Sequence, residues 1–265
     1  MTNSPELALD DFEYSIKRLG FYKIDNCIKD KKLLAALSKD LDAAVEEDTK
    51  VIDGYNNYRF YDIVHQLFGR GDSFLDLMMN PVINDCAEKI LSPTCIIHSY
   101  NAVKLMPSRG NNATKVHRDC PRFYTQDYPL ALQALICLDP FTLENGATHM
   151  LPASHHIPER PSDEYFYKNS TRMVGNPGDV IFFDSLVWHA GGENMTQEPR
   201  RGLTIVYTRA FMKQQIDLPR AIPADYISKM PEKARQKIGM DVRVPANMDE
   251  FSMPEDQRFY KSNQG

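Results

Sequence analysis

Four residues in the second half of the chain have types and spacings that suit a metal centre. His117 and Asp119 are separated by one residue, so in an extended segment their side chains point to the same face, and Arg118 points to the other. His189 follows an apolar segment, and Arg200 lies eleven residues after it. Two imidazoles and one carboxylate can bind one face of an octahedral metal, which is the ligand set of the non-haem Fe(II) oxygenases.

Arg200 suits the co-substrate that such an iron requires. It begins an alternating segment, so its guanidinium can form a bidentate pair with a distal carboxylate, and strand alternation sends Arg201 the other way. Each of these motifs alone is more often structural than functional. The prediction therefore depends on their order along the chain, from H-x-D through two apolar strands to His189 and Arg200.

Segments rich in β-branched and aromatic residues must position these side chains. Four segments predict strands: 94–107, 130–140, 178–185 and 201–211. The loops between them carry turn residues, as in PSRGNN, ENGAT and VGNPGD. Short strands with turn-rich connections indicate a sandwich or a barrel rather than alternating strand–helix units.

Residues 1–93 are predicted to be rich in helix. A first helix precedes a short alternating strand at 21–26, and a second helix begins after Asp30, in a segment of strong helix formers. A further helix is expected over 73–91, with a break at Pro81. Their apolar stripes predict that these helices cover a sheet.

The strand-rich segment 94–212 is the expected core, and the polar, proline-punctuated segment 213–265 follows it. We expect one helix near 224–238, and this last segment is either a lid or a peripheral wrap. The chain 1–265 is thus predicted to form one domain, because β-rich domains of this length are common.

Composition limits the class of protein. The chain has 265 residues, 42% of them hydrophobic and 25% charged, with a net charge of −5. These values exclude wholesale disorder and argue against a general binder of nucleic acid or of anionic membranes. No window approaches about 18 consecutive apolar residues, so no membrane span is expected.

The expected setting is the cytoplasm. The N-terminal residues lack an apolar signal segment, and the five cysteines form no C-x-x-C pair, which favours reduced thiols. We expect a protein that binds a small-molecule substrate, as a monomer or a homodimer, with no nucleic-acid or membrane partner.

Four motifs carry a resemblance to a known family. They are VHRD (116–119), ENGATHMLPASHH (144–156), GDVIFFDSLVWHAGGEN (178–194) and PRRGLTIVYT (199–208). With the N-terminal helix–GFYKI–helix pattern, they resemble the phytanoyl-CoA dioxygenase-like (PhyH-like) branch of the Fe(II)/2-oxoglutarate-dependent oxygenases. The resemblance implies a mainly β fold with flanking helices, in which N-terminal helices cover a double-stranded β-helix (jelly-roll, cupin-like) core.

The same resemblance implies Fe(II), 2-oxoglutarate as co-substrate, and O2. His117, Asp119 and His189 resemble the catalytic iron ligands, and Arg200 resembles the anchor of the 2-oxoglutarate carboxylate. The chain departs from the family at Gly191, where relatives often have a serine whose hydroxyl assists the co-substrate.

Further polar residues are candidates for contacts at this site. Help for the co-substrate is expected from residues on the predicted strands and the 144–156 loop, namely Thr148, Thr204, Asn101 and Lys104. Three residues beside the H-x-D motif are candidate substrate contacts: Arg118, Arg122 and Phe123. The alternative for each is an ordinary structural role, as an exposed polar residue or a core aromatic.

The reaction that the resemblance implies is hydroxylation with release of succinate and CO2. Related halogenases have a small residue where Asp119 stands, so a carboxylate there favours hydroxylation over halogenation. A small polar metabolite is the first choice of substrate, with an anionic group favoured, and an acyl-CoA is the alternative. Desaturation and epimerisation also stay open.

Two interpretations from other classes remain. A zinc-dependent hydrolase could use the same histidines and carboxylate, but it would not explain Arg200. A non-catalytic binding module would not explain why the ligands and the anchor are all present.

Overall fold

The computed structural model describes residues 5–52, 63–108, 114–119, 128–258 and 260–261. The strands in these ranges are β1 (Phe21–Ile24), β2 (Ile63–His65), β3 (Ile96–Leu105), β4 (Ala131–Cys137), β5 (Thr148–Met150), β6 (Thr171–Met173), β7 (Val180–Asp184), β8 (His189–Ala190) and β9 (Arg200–Thr208). The α-helices are α1 (Pro5–Leu19), α2 (Lys31–Val51), α3 (Asp72–Met78), α4 (Pro81–Ile90), α5 (Asp163–Asn169), α6 (Leu218–Ala221), α7 (Ala224–Lys229), α8 (Glu232–Lys237) and α9 (Met248–Phe251). Two 3-10 turns span Ser154–His156 and Glu255–Gln257.

The strands form two sheets. The large sheet has the order β1-β7-β4-β9-β3-β2, and the small sheet has the order β6-β5-β8. The strand pairs of both sheets are antiparallel. The prediction of a mainly β core with flanking helices is confirmed.

One face of the large sheet packs against the N-terminal helices. Alternation along β9 turns Leu203, Ile205 and Tyr207 to this face. There they share one buried hydrophobic cluster with Phe12 of α1 and Leu37 of α2. The apolar helices therefore cover the sheet as their patterning predicts.

The opposite face of the large sheet meets the small sheet. Phe183 of β7 shares a second buried cluster with Met150 of β5 and Met173 of β6, which places the two sheets face to face. On β9, Arg200 and Thr204 alternate with the residues under the helices. They consequently lie on this inner face, between the sheets.

Local sequence signals explain where the N-terminal helices begin. The Asp30 carboxylate accepts hydrogen bonds from the backbone N–H groups of Lys32 and Leu33, at 2.8 and 3.2 Å, and so caps α2. The predicted break at Pro81 is confirmed, because α3 ends at Met78 and α4 begins at the proline.

Two departures from the sequence predictions concern short elements. The N-terminal region supplies both edge strands of the large sheet, β1 and β2, and the three-residue β2 is too short to show a periodicity in the sequence. The single helix expected near 224–238 is two helices, α7 and α8. Met230 between them is extended, with ψ 143°, because the following Pro231 disfavours a helical conformation there.

The C-terminal segment is attached to the start of β3. The Gln214 side chain donates to the backbone oxygen of Ile97 at 2.7 Å, and the Lys237 ammonium donates to that of Cys95 at 3.2 Å. None of the helices in the described ranges combines the length and apolar character that a bilayer crossing requires.

The helix–sheet interface generates a stability prediction. Phe12 is 1% exposed and contacts Phe182 edge to face, with ring centroids 5.2 Å apart. We expect Phe12→Ala to lower the free energy of unfolding by about 3–5 kcal/mol, because it removes buried apolar surface and leaves a cavity. Tyr14→Ala, on the same helix at 63% exposure, is the control and should change it by less than about 1 kcal/mol. Urea unfolding followed by circular dichroism measures both, and equal effects would contradict the packing described.

Candidate metal centre and co-substrate anchor

Backbone hydrogen bonds bring the three predicted metal ligands together. The N–H of His117 donates to the carbonyl of His189 at 2.9 Å, and the N–H of His189 donates back at 3.0 Å. This pair forms an isolated antiparallel bridge. Two residues further on, the N–H of Asp119 donates to the carbonyl of Ser185 at 3.1 Å. The 114–119 segment is thus fixed beside the end of β7 and the start of β8.

The side chains of the triad converge on one point. The Nε2 atoms of His117 and His189 each lie 3.3 Å from the Asp119 carboxylate, and one ligand atom from each residue lies within 4.8 Å of the others. Both Nδ1 atoms contact backbone carbonyls, those of Lys115 at 2.6 Å and Val187 at 2.9 Å. Because a carbonyl only accepts, Nδ1 carries a proton in each ring, and Nε2 is the nitrogen that a metal would bind. The donor set fits a divalent metal.

Charge coupling keeps the carboxylate of this group ionised. Enclosure by protein would raise the pKa of Asp119, but His189 and His117 hold it well below its usual range. Burial would lower the pKa of His117, and Asp119 raises it overall. A carboxylate that is deprotonated throughout the neutral range is ready to bind a cation.

Arg200 lies buried without the anion it would normally pair with. It is 6% exposed, its guanidinium lies 3.9 Å from the centroid of the Phe141 ring, and its Nε and Nη1 have no hydrogen-bond partner among the described residues. Burial lowers its pKa to about 10. A buried guanidinium with unpaired donors is costly in the free protein. Its chemistry therefore fits an anionic ligand such as a carboxylate.

Arg201 has the opposite environment. Its guanidinium lies 2.8 Å from Asp139 and 3.0 Å from Asp42 of α2, so it is satisfied on the helix-covered side of β9. Alternation along one strand thus separates two adjacent arginines, and only Arg200 faces the space between the sheets.

Two of the other polar candidates lie side by side on the inner face. Thr204 is the register partner of Asn101, on the neighbouring strand β3. The Asn101 side chain accepts a hydrogen bond from the N–H of Gln66 at 3.3 Å. Thr148 is buried on β5, after the turn at Gly146, whose φ of +90° suits glycine.

The structure does not bring Lys104 to the site. It is three residues from Asn101 on β3 and therefore points to the other face, where its ammonium lies 2.7 Å from Asp42. Arg118 also turns away from its neighbours, as strand alternation requires. Its guanidinium lies 4.5 Å from the centroid of the Trp188 ring and donates to the carbonyl of Pro158 at 3.1 Å. Arg118 thus connects two loops, and its Nε and Nη1 have no hydrogen-bond partner among the described residues.

Arg122 and Phe123, the other two substrate candidates, lie outside the described residues.

Sequence reasoning missed Gln133 of β4. Its side-chain Nε2 donates to Oδ2 of Asp119, and the residue is only 2% exposed. The available signal was its place on the strand, where it shares a face with Leu135 and Cys137 and is the one polar side chain of those three. The ring of Phe183, its register partner, lies edge to face with His189 at 4.9 Å.

Comparison with known proteins agrees with this geometry. The family described as Phytanoyl-CoA dioxygenase (PhyH) matches residues 16–202. The chain belongs to the PhyH family. It is 32% identical over 198 residues to the uncharacterized protein Rv1501 of Mycobacterium tuberculosis, covering 72% of each chain. It is 30% identical to the iron/alpha-ketoglutarate-dependent dioxygenase penM of Penicillium thymicola, over 49% of this chain and 43% of that one.

A solved structure shows a similar fold. EctD from S. alaskensis, with 2-oxoglutarate and 5-hydroxyectoine, superposes with a TM-score of 0.65 at 20% identity and covers 78% of both chains. The jelly-roll, cupin-like core is confirmed. The expected enzyme class and cofactors are also confirmed. The protein is a 2-oxoglutarate-dependent dioxygenase that uses iron, 2-oxoglutarate and O2.

The triad geometry predicts the effect of removing each ligand. We expect His117→Ala, Asp119→Ala and His189→Ala each to weaken Fe(II) binding by more than about 100-fold, since losing only a group that supports a ligand typically costs 10- to 100-fold. Anaerobic calorimetry with Fe(II) measures the affinity. His149→Ala is a matched control, because His149 on β5 contacts Ser170 at 2.9 Å instead of the triad. A triad variant that kept the wild-type affinity would exclude that residue as a ligand.

Proposed function

We propose that this enzyme hydroxylates a small polar metabolite, with His117, Asp119 and His189 as iron ligands and Arg200 as the 2-oxoglutarate anchor. The observation that carries the proposal is the convergence of the three ligand atoms to within 4.8 Å. The buried, unpaired guanidinium on the same inner side of the fold supports it. A zinc hydrolase would have no use for that guanidinium, so the oxygenase arrangement accounts for more of the site.

Each residue of the site has a separate task. The two imidazoles are held by their Nδ1 hydrogen bonds, so Nε2 needs no reorientation to bind a metal. Arg200 would bind the distal carboxylate of 2-oxoglutarate by charge-assisted hydrogen bonds, with Thr204, Asn101 and Thr148 as nearby polar groups. Bound Fe(II) supplies the activation of O2, which is coupled to conversion of 2-oxoglutarate to succinate and CO2. The chain itself supplies the orientation of these groups between the two sheets.

Asp119 supports hydroxylation as the outcome. It stands where related halogenases have a small residue, and its ionised carboxylate lies against both imidazoles. If Asp119 held Fe(II) together with His117 and His189, 2-oxoglutarate and O2 would fill the remaining positions and a halide would have none.

The substrate class stays as the sequence suggested, a small polar metabolite with an anionic group favoured. Arg118 contacts Trp188 and Pro158, but its Nε and Nη1 have no hydrogen-bond partner among the described residues, so it stays a candidate for contact with an anionic substrate. Arg122, outside the described residues, is the remaining arginine of the expected pair. We therefore retain a small polar metabolite as the substrate class, with Arg118 and Arg122 as the candidates for recognising an anionic group.

The two adjacent arginines provide a test of the anchor. Arg200→Ala should raise the KM for 2-oxoglutarate roughly 30- to 1000-fold, because losing a charge-assisted bidentate pair costs about 2–4 kcal/mol. Arg201→Ala removes the pairs with Asp139 and Asp42 and should lower stability with little change in this KM. Steady-state succinate formation at varied 2-oxoglutarate measures both. If Arg201→Ala had the larger effect on KM, Arg200 would not be the anchor.

The reaction type is tested through its products. The Fe(II)-loaded enzyme is incubated with 2-oxoglutarate and a panel of amino acids, sugars and acyl-CoA thioesters, and succinate release identifies the stimulating compound. Mass spectrometry in chloride and in bromide buffers should show a product that has gained one oxygen atom and no halogen. A halogenated product, an isomer of the substrate, or a product lacking two hydrogens would overturn the hydroxylase assignment. An acyl-CoA as the stimulating compound would overturn the substrate class.

A further inference from the structure

Gln133 is a buried amide in an apolar environment. The register of the large sheet places it between Phe183 of β7 and Val206 of β9, and this row continues to Phe21 on β1. The side chain is 2% exposed. Burying an amide between apolar neighbours is unfavourable unless its polar atoms find strong partners. The partner that Gln133 has is therefore the feature to explain.

That partner is one particular oxygen of Asp119. The amide nitrogen of Gln133 donates to Oδ2, and the assignment of the amide is chemically forced, because an ionised carboxylate can only accept. Each oxygen also contacts one imidazole at 3.3 Å, Oδ2 that of His189 and Oδ1 that of His117, so the amide of Gln133 is what distinguishes the two oxygens. The carboxylate is thus unsymmetrical: one of its oxygens is engaged by a neutral donor of the sheet and the other is not.

Gln133 is not required to bring Asp119 to the site. The backbone of Asp119 is already fixed by its hydrogen bond to Ser185, and that of His117 by the bridge to His189. What the backbone leaves free is rotation of the carboxylate about its side-chain torsions. A donor projecting from the rigid strand β4 sets that rotation.

We propose that Gln133 is a positioning residue that occupies Oδ2 of Asp119 and so restricts the carboxylate to binding the metal through a single oxygen. The inference rests on the proposed role of Asp119 as an iron ligand. A carboxylate that bound through both oxygens would take a coordination position that 2-oxoglutarate or O2 needs. Gln133 therefore protects the binding of the co-substrate more than the binding of the metal.

Two substitutions separate hydrogen bonding from packing. Gln133→Leu removes the donor and keeps an apolar side chain of similar size. Gln133→Glu keeps the shape but presents an acceptor to Asp119 in place of the donor. In both variants the Fe(II)-loaded protein should bind 2-oxoglutarate about 10- to 100-fold more weakly, the cost typical of losing a group that supports a metal ligand. Fe(II) affinity should change less, because all three ligands remain.

The matched control is a second buried amide away from the site. Asn84 of α4 is 5% exposed and donates to the backbone oxygen of Met78 at 2.8 Å. Asn84→Leu should lower the melting temperature and leave the affinity for 2-oxoglutarate unchanged. A purely structural role for Gln133 would give the same pattern.

The measurements are made without turnover. Anaerobic calorimetry gives the affinities for Fe(II) and then for 2-oxoglutarate, and the visible charge-transfer band of the Fe(II)–2-oxoglutarate complex reports chelation directly. The proposal expects a weakened band in both Gln133 variants at saturating Fe(II), and a normal band in Asn84→Leu. Wild-type 2-oxoglutarate affinity and a normal band in either Gln133 variant would overturn it. Failure of the underlying assignment is distinguishable, because then Asp119→Ala would keep the Fe(II) affinity of the wild type.

Discussion

The reciprocal backbone hydrogen bonds between His117 and His189 are the constraint on which the site depends. They join two segments that are 72 residues apart and set the imidazole rings 4.3 Å apart, measured between centroids. Since the bridge is only one residue pair long, its rigidity comes from what surrounds it. The N–H of Asp119 is held by Ser185, and the carbonyl of Trp188 accepts from the N–H of Leu151 at 3.0 Å. A few main-chain hydrogen bonds thus bring the ligands together, and the side chain of Gln133 adds one bond to the Asp119 carboxylate.

Strand alternation distributes charge across the large sheet. On β9 it directs Arg201 to two carboxylates and leaves Arg200 beside the Phe141 ring with unpaired donors. An uncompensated buried guanidinium reduces the stability of the free protein. Occupation of this position by a carboxylate would recover that energy, so co-substrate binding and stability are thermodynamically linked. The fold thus keeps an unpaired, buried guanidinium at the position where the co-substrate carboxylate is proposed to bind.

Much of the fold and of the candidate site could be predicted from the sequence, because both depend on short periods. The two-residue alternation of extended segments placed His117 and Asp119 on one face and Arg200 and Arg201 on opposite faces. Capping residues and prolines indicated where the N-terminal helices begin. The same alternation, applied consistently, would have removed Lys104, which lies three residues from Asn101 and therefore on the opposite face of β3. Gln133 could not be recognised, because its partner is brought to it by the closure of the sheet. The positions of β1 and β2 at the edges of the large sheet likewise depend on pairings between segments that are distant in the sequence.

The position of β1 has a consequence for how the chain folds. Among the described residues its partner in the large sheet is β7, which follows it at a long distance in the sequence, and Phe21 pairs with Phe183. Contacts between residues so far apart in the sequence form slowly, because the chain loses the entropy of loop closure before the contact can stabilise it. As the polypeptide leaves the ribosome, the apolar stripe of α1, with Phe12 and Ile16, is made well before β7, the strand that pairs with β1. Vectorial synthesis thus leaves this amphipathic helix and its adjoining strand dependent on a part of the chain that is made much later.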